Sequence, residues 1–213
     1  MSQRALALTA LVCATLALVF ILGFDRSIAQ AVHASVVASA AVFVDGTHAL
    51  DALAGRTLLP SRSVSNLLLA GTLLGLGAVL VLANRGNRLG RALLFIGGVQ
   101  LATLAAAYGL KQIFGRIRPY ILLDHGDWQH MWFAGGNSFP SGHNAFFWGL
   151  FLPMIYLFPR WRWPLLAIPA FIALARIDTS SHFVSDVLAS IALAACVTLA
   201  AAIVSRRWIK PIG

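Results

Sequence analysis

The sequence predicts an all-α polytopic membrane protein with six transmembrane helices and both termini inside, on three observations. Of the 213 residues, 59% are hydrophobic and 11% are charged, against about 25% charged in soluble proteins. Six apolar runs meet or approach the roughly 20 residues that a helix needs to cross a hydrocarbon core. The basic residues also segregate between alternate connecting segments. Residues 1–213 read as one membrane-embedded domain, with no internal repeat or low-complexity tract. A formal charge of +9 raises nucleic acid as a partner, but the cations are scattered between apolar runs rather than gathered in a patch, so they report topology. Cys13 and Cys196 fall inside spans and behave there as small hydrophobes, without disulfide or metal-ligand spacing.

In chain order, the first run is Ala5 to Phe24. The "AQA" at 29–31 resembles a signal-peptidase site, but the run before it exceeds the usual signal-peptide core, so it reads as a span. Residues 25–64 form the longest outer segment; Ile28, Val32 and Val36 recur at helical spacing after Asp25 and Ser27, which allows either an interfacial helix or a plain loop. The next runs are Asn66 to Ala83, Ala92 to Leu110 and Asn144 to Phe158. The fifth, Trp163 to Ala175, is short and carries Pro164 and Pro169; it is a span flanked by interfacial tryptophans or a re-entrant segment. The sixth is Val187 to Val204.

The span reading of the fifth run makes the charges fall into place. With the N-terminus inside, the inner segments hold Arg4, Arg85, Arg88, Arg91, Arg160, Arg162, Arg206, Arg207 and Lys210, and no acid. All seven aspartates and all six histidines fall outside, and the chain has no glutamate. That asymmetry is the positive-inside rule. In a bacterial-type cell this means the inner membrane, with the outer loops in the periplasm.

Three outer clusters carry chemistry. In "KQIFGRIRPY", Lys111, Arg116 and Arg118 sit where the topology disfavours cations, which points beyond snorkelling to an anionic ligand. Lys111 and Arg118 would lie roughly 10 Å apart along an unbroken helix; Gly115 and Pro119 predict that the helix loosens or ends there and lets both turn to one point. In "GGNSFPSGHNAFF", Pro140, Ser141 and Gly142 precede a helix, whose start offers free backbone N–H groups to an anion. An ordinary capped helix accounts for Ser141 and leaves His143 unexplained. In "ARIDTSSHFVSDV", Arg176, His182 and Asp186 enter the last span; on a helix, His182 and Asp186 would share a face. A carboxylate on one ring nitrogen leaves the other as nucleophile or base, whereas a buried polar pair would merely join helices. Together the clusters suit phosphoryl transfer, where positioning and charge stabilisation dominate. They suit a metal poorly, since the cations repel it and carboxylates are few.

Lys111 to Pro119, Pro140 to His143 and Ala175 to Asp186 together resemble the type 2 phosphatidic acid phosphatase superfamily, whose pattern is K-x6-RP, PSGH and SR-x5-H-x3-D in that order. Ala175 replaces the serine of the third stretch, which puts one hydroxyl donor in doubt. The resemblance implies His182 as the nucleophile that forms a phosphohistidine, Asp186 as its orienting carboxylate and His143 as the general acid. It assigns the phosphate oxygens to Lys111, Arg118, Ser141, Gly142 and Arg176, with no metal and no other cofactor. The implied substrate is a phosphorylated lipid of the bilayer: undecaprenyl diphosphate, phosphatidylglycerol phosphate, phosphatidic acid or the phosphates of lipid A. The "HFVSD" stretch resembles the lipid A phosphatases of the family. A lipid phosphotransferase of the same family and an anion or lipid transporter are the alternatives.

Overall fold

A computed structural model describes residues 1–35 and 40–209; Val36 and Lys210, both used in the sequence reading, lie outside the described residues. Among the described residues there is no strand. The helices are α1 (Gln3–Val19), α2 (Asp25–His33), α3 (Ala41–Leu53), α4 (Arg62–Ala83), α5 (Arg88–Phe114), α6 (Pro119–His125), α7 (Gly142–Leu157), α8 (Arg162–Asp178) and α9 (Val184–Val204). A π-helical turn, Phe20–Phe24, joins α1 directly to α2. Local chemistry sets several starts: the Ser2 hydroxyl accepts from Ala5 N–H at 3.1 Å and the Asn87 side chain accepts from Gly90 N–H at 2.9 Å, each satisfying an N-terminal amide.

Among the described residues, the segment 25–64, expected on the outer side, carries the helices α2 and α3 rather than a plain loop. Ile28 and Val32 lie on α2, and α3 carries Asp51. Among the described residues, four helical stretches are long and apolar enough to cross a membrane: Gln3–His33, Arg62–Ala83, Arg88–Asp124 and Val184–Val204. The fourth and fifth expected runs form α7 and α8, of 16 and 17 residues. At 1.5 Å per residue these reach about 24–26 Å, a little short of a hydrocarbon core of about 30 Å. Helix α7 is wrapped by α5, α8 and α9, so little of its surface faces outward.

Elsewhere α1 packs on α9, α4 on α5, and α3 on α8. At the second of these a side chain at Gly77 would meet the Gly90 carbonyl at 2.9 Å; small residues let the backbones approach. The core gathers Leu6, Phe95, Val99, Trp148, Leu152 and Tyr156. Leu11, Leu22, Leu67 and Leu82 instead face outward, an apolar exterior suited to lipid rather than water.

The two ends of the bundle differ. At one, Arg91 donates to the Trp208 carbonyl at 3.2 Å and Gln3 to the Ala202 carbonyl at 3.4 Å, so the start of α1, the α4–α5 turn and the end of α9 lie together with their arginines. At the other, the end of α5, the starts of α7 and α9 and the end of α8 meet the loops at 115–118, 126–141 and 179–183. All the chemistry-bearing clusters are at that second end.

Candidate active site

Asp186 is the hub of the site. It lies in the first turn of α9, wholly buried. Its Oδ2 accepts from Phe183 N–H at 3.0 Å and from the Ser138 hydroxyl at 2.5 Å, while Oδ1 accepts from Arg116 Nη1 at 2.7 Å. His182 Nδ1 stands 3.4 Å from Oδ2 and 3.5 Å from Ser138 Oγ. The serine oxygen can therefore accept from Nδ1–H while its own proton goes to the carboxylate, which selects the tautomer and leaves Nε2 unprotonated.

The pairing of His182 with Asp186 does not arise from the shared helical face that their spacing predicts. His182 precedes the helix, because Phe183 is extended (φ −70°, ψ 160°) and α9 begins at Val184. Its amide instead donates to the Arg176 carbonyl at 3.1 Å, which fastens the α8–α9 loop to the last turn of α8. Burial above all, with the charges of Lys111 and Arg118, pushes the His182 imidazole down to about 3 against the pull of Asp186. The ring is thus neutral across the physiological range.

Arg116 takes no part with the other cations. It is buried, with Nη1 on Asp186 and on Ser185 Oγ (2.7 Å each) and Nη2 on Asp25 Oδ2 at 2.8 Å. The Trp132 and Phe183 rings cover it at 4.4 and 3.9 Å from their centroids. Asp25 closes the network by accepting from the Ser185 hydroxyl and, at 3.2 Å, from its amide. This ties the start of α2 to the start of α9.

Lys111 and Arg118 do converge. Helix α5 ends at Gly115, whose φ of 47° is left-handed and suits a residue without a Cβ. Arg118 then precedes α6 with Pro119 at its first position. Both cations reach Asn137: Lys111 Nζ donates to its carbonyl and Arg118 Nε to its side-chain oxygen at 2.8 Å. The Lys111 side chain also stands against the start of α7, 3.5 Å from the position a Gly142 Cβ would take.

The start of α7 is not an ordinary capped helix. The Ser141 side chain makes no cap; its oxygen accepts from Asn144 Nδ2 at 3.1 Å, which leaves its proton free to donate. The Ser141 amide is taken by the Asp186 carbonyl at 3.1 Å, docking α7 on α9. The first amides of the helix have no intrahelical acceptor, so the start offers N–H donors of the kind that an anion accepts. His143, buried, turns away from Asp186 to a second carboxylate: Nε2 is 3.0 Å from Asp51 Oδ2 on α3. Asp51 Oδ1 holds Arg56 Nη1 at 2.6 Å. Burial raises the Asp51 pKa, but the His143 hydrogen bond and the Arg56 charge outweigh it and hold the carboxyl below its ordinary value.

Arg176, in the last turn of α8, has a buried Nε without a hydrogen-bond partner among the described residues. That donor is open to an acceptor that the described residues do not supply. Among the described residues, no three His, Cys, Asp or Glu side chains gather as a metal cluster. What the arrangement offers is a neutral, oriented imidazole, a second imidazole on its own carboxylate, and cations and amides aimed into one site.

Of the expected site residues, Lys111, Arg118, Ser141, Gly142, Arg176, His182 and Asp186 are joined by these contacts, and His143 adjoins them as the residue after Gly142 in α7, with its own side chain held by Asp51. Sequence reasoning missed Asp25, Asp51, Arg56, Asn137 and Ser138. For the two aspartates a signal existed: acids are rare in this chain and stand in apolar surroundings, where an ionisable residue calls for a role. Asn137 and Ser138 gave none.

The PAP2 superfamily model matches residues 91–210, which take in every expected site residue. A lipid A 1-phosphatase of Rhizobium johnstonii is 36% identical over 101 residues, 46% of this chain and 41% of that protein. Another, of Rhizobium etli, is 35% identical over 101 residues, 46% of this chain and 44% of that protein. The matched stretch thus spans less than half the length of these curated relatives. No solved structure matches the chain. With the family model covering more than half of its 213 residues and all three motifs, the chain belongs to the PAP2 superfamily.

Proposed function

We propose that this chain is a metal-independent phosphatase of a membrane lipid, acting through a phosphohistidine on His182. The observation that carries the reading is the buried His182, held by Ser138 and Asp186 beside cations that converge at the start of α7. His182 Nε2 attacks phosphorus while Asp186 and Ser138 keep Nδ1 protonated. The bond from phosphorus to the lipid oxygen breaks, and His143 gives that oxygen a proton. Lys111, Arg118, Arg176, the Ser141 hydroxyl and the amides at Gly142 neutralise the phosphoryl oxygens as charge develops. Water then attacks the phosphohistidine and gives its proton to the now neutral His143, the nitrogen–phosphorus bond breaks, inorganic phosphate leaves, and His182 returns to its neutral form with His143 reprotonated.

The substrate we infer is a phosphate on a lipid A type headgroup, because the relatives are lipid A 1-phosphatases and "HFVSD" resembles that branch. Phosphate release by the purified protein from lipid A, phosphatidic acid, phosphatidylglycerol phosphate and undecaprenyl diphosphate tests it. Lipid A should be the best substrate. Release from none of the four would contradict the phosphatase reading, and a preference for another would overturn the headgroup.

Activity should survive a chelator, since the site's own cations supply the charge that a metal would. Vanadate should inhibit as a five-coordinate mimic of the transition state. Loss of turnover in chelator, restored by a divalent ion, would refute metal independence.

We further propose that α7 and α8 also cross, giving six spans with both termini inside and the site on the periplasmic face of the inner membrane. The arginines at the end of the bundle opposite the site support this through the positive-inside rule. In a background without Cys13 and Cys196, a cysteine in the 124–130 loop should react with an impermeant thiol reagent in intact spheroplasts. Reaction at the 85–91 loop instead would invert the topology.

A further inference from the structure

His143 is held by a structure that the three family motifs do not contain. Its Nε2 lies 3.0 Å from Asp51 Oδ2, and Asp51 is 1% exposed on α3. Arg56 fixes the other carboxylate oxygen at 2.6 Å and is itself fixed by Asn66 Oδ1 at 2.9 Å. The Arg56 guanidinium also lies over the Phe146 ring at 4.5 Å, one turn along α7 from His143. Asp51, Arg56 and Asn66 all precede the family match, which begins at residue 91. The N-terminal part of the chain therefore reaches into the site and grips one of its two histidines.

A buried acid of this kind has two needs. It must carry a proton when the leaving oxygen develops charge, and the proton must sit on the nitrogen that faces that oxygen. Burial among the cations Arg56 and Arg176 works against the first need. A carboxylate at hydrogen-bond distance answers both: it stabilises the imidazolium and fixes which nitrogen is engaged, as in other carboxylate–imidazole pairs. With Nε2 on Asp51, Nδ1 is the nitrogen left to deliver the proton. We propose that Asp51, clamped by Arg56 and Asn66, is a positioning residue that orients His143 and sustains its protonated form for release of the lipid oxygen. The site then holds two carboxylate–imidazole pairs with opposite roles. Asp186 serves the neutral nucleophile His182, and Asp51 serves the proton donor His143.

This inference rests on the phosphatase reading, and its test separates the two. Wild type, Asp51→Asn, His143→Ala and the double variant are compared on a lipid phosphate, with its poor alkoxide leaving group, and on an aryl phosphate, which needs little protonation. Asp51→Asn preserves shape where Asp51→Ala would strand the buried Arg56, and a thermal melt in detergent confirms that each variant is folded. In Asp51→Asn, kcat on the lipid should fall about 10²-fold with little change in KM, within the range for general-acid catalysis; on the aryl phosphate it should change less than about threefold. In the His143→Ala background the same substitution should cost nothing further, as expected of residues that act as one unit. An equal fall on both substrates, an unchanged kcat on the lipid, or an additive loss in the double variant would overturn the role of Asp51. If the wild type itself releases no phosphate from either substrate, the phosphatase reading fails first.

Discussion

His182→Ala should lower turnover of the lipid substrate by about 10⁴-fold or more, the scale on which loss of a nucleophile acting within a cooperative unit is felt. Without Nε2 no nitrogen–phosphorus bond forms, and nothing nearby replaces it. Asp186 is saturated by Arg116, Ser138 and Phe183, while Lys111, Arg118 and Arg176 are cations. His143→Ala should behave differently. It should slow the lipid reaction by about 10²–10⁴-fold, as expected for a lost general acid, and leave an aryl phosphate much less affected. Steady-state phosphate release from both substrates separates the two histidines. Equal losses on both substrates in both variants would remove the distinction in role.

Arg116→Ala should destabilise the protein by about 3–5 kcal/mol, the usual result of removing one partner from a buried ion pair. Asp25 and Asp186 would both lose the guanidinium that they share, and Trp132 and Phe183 would lose the group between them. Arg116→Lys should recover only part of the loss, because an ammonium cannot span acceptors on two sides in the way a planar fork does. Thermal unfolding in detergent measures both. Wild-type stability in Arg116→Ala would mean that the network does not hold α2 against α9.

The all-helical class and all three motif clusters are legible in the sequence because each rests on local information. Apolar run length announces a span, and K-x6-RP, PSGH and R-x5-H-x3-D are short spacings. What stays hidden is relational. Arg116 reads as a third anion-binding cation, since a sequence displays its charge but not Asp25, 91 positions away. His143 reads as unpartnered because Asp51 lies 92 positions before it. The helical face expected for His182 and Asp186 fails for a local reason: Phe183 is extended, and the contact is made from a loop through the N-terminal turn of α9. The shortness of α7 is visible in the sequence, but not that three neighbouring helices wrap it.

Rapid-quench trapping of the phosphoenzyme tests the proposed chemistry most directly. Wild-type protein mixed with a radiolabelled lipid phosphate should yield an acid-labile, base-stable phosphoryl group that maps by peptide sequencing to His182 and is absent from His182→Ala. Label on another residue, or full turnover with no trapped phosphoenzyme under conditions that stabilise one, would contradict a phosphohistidine at His182.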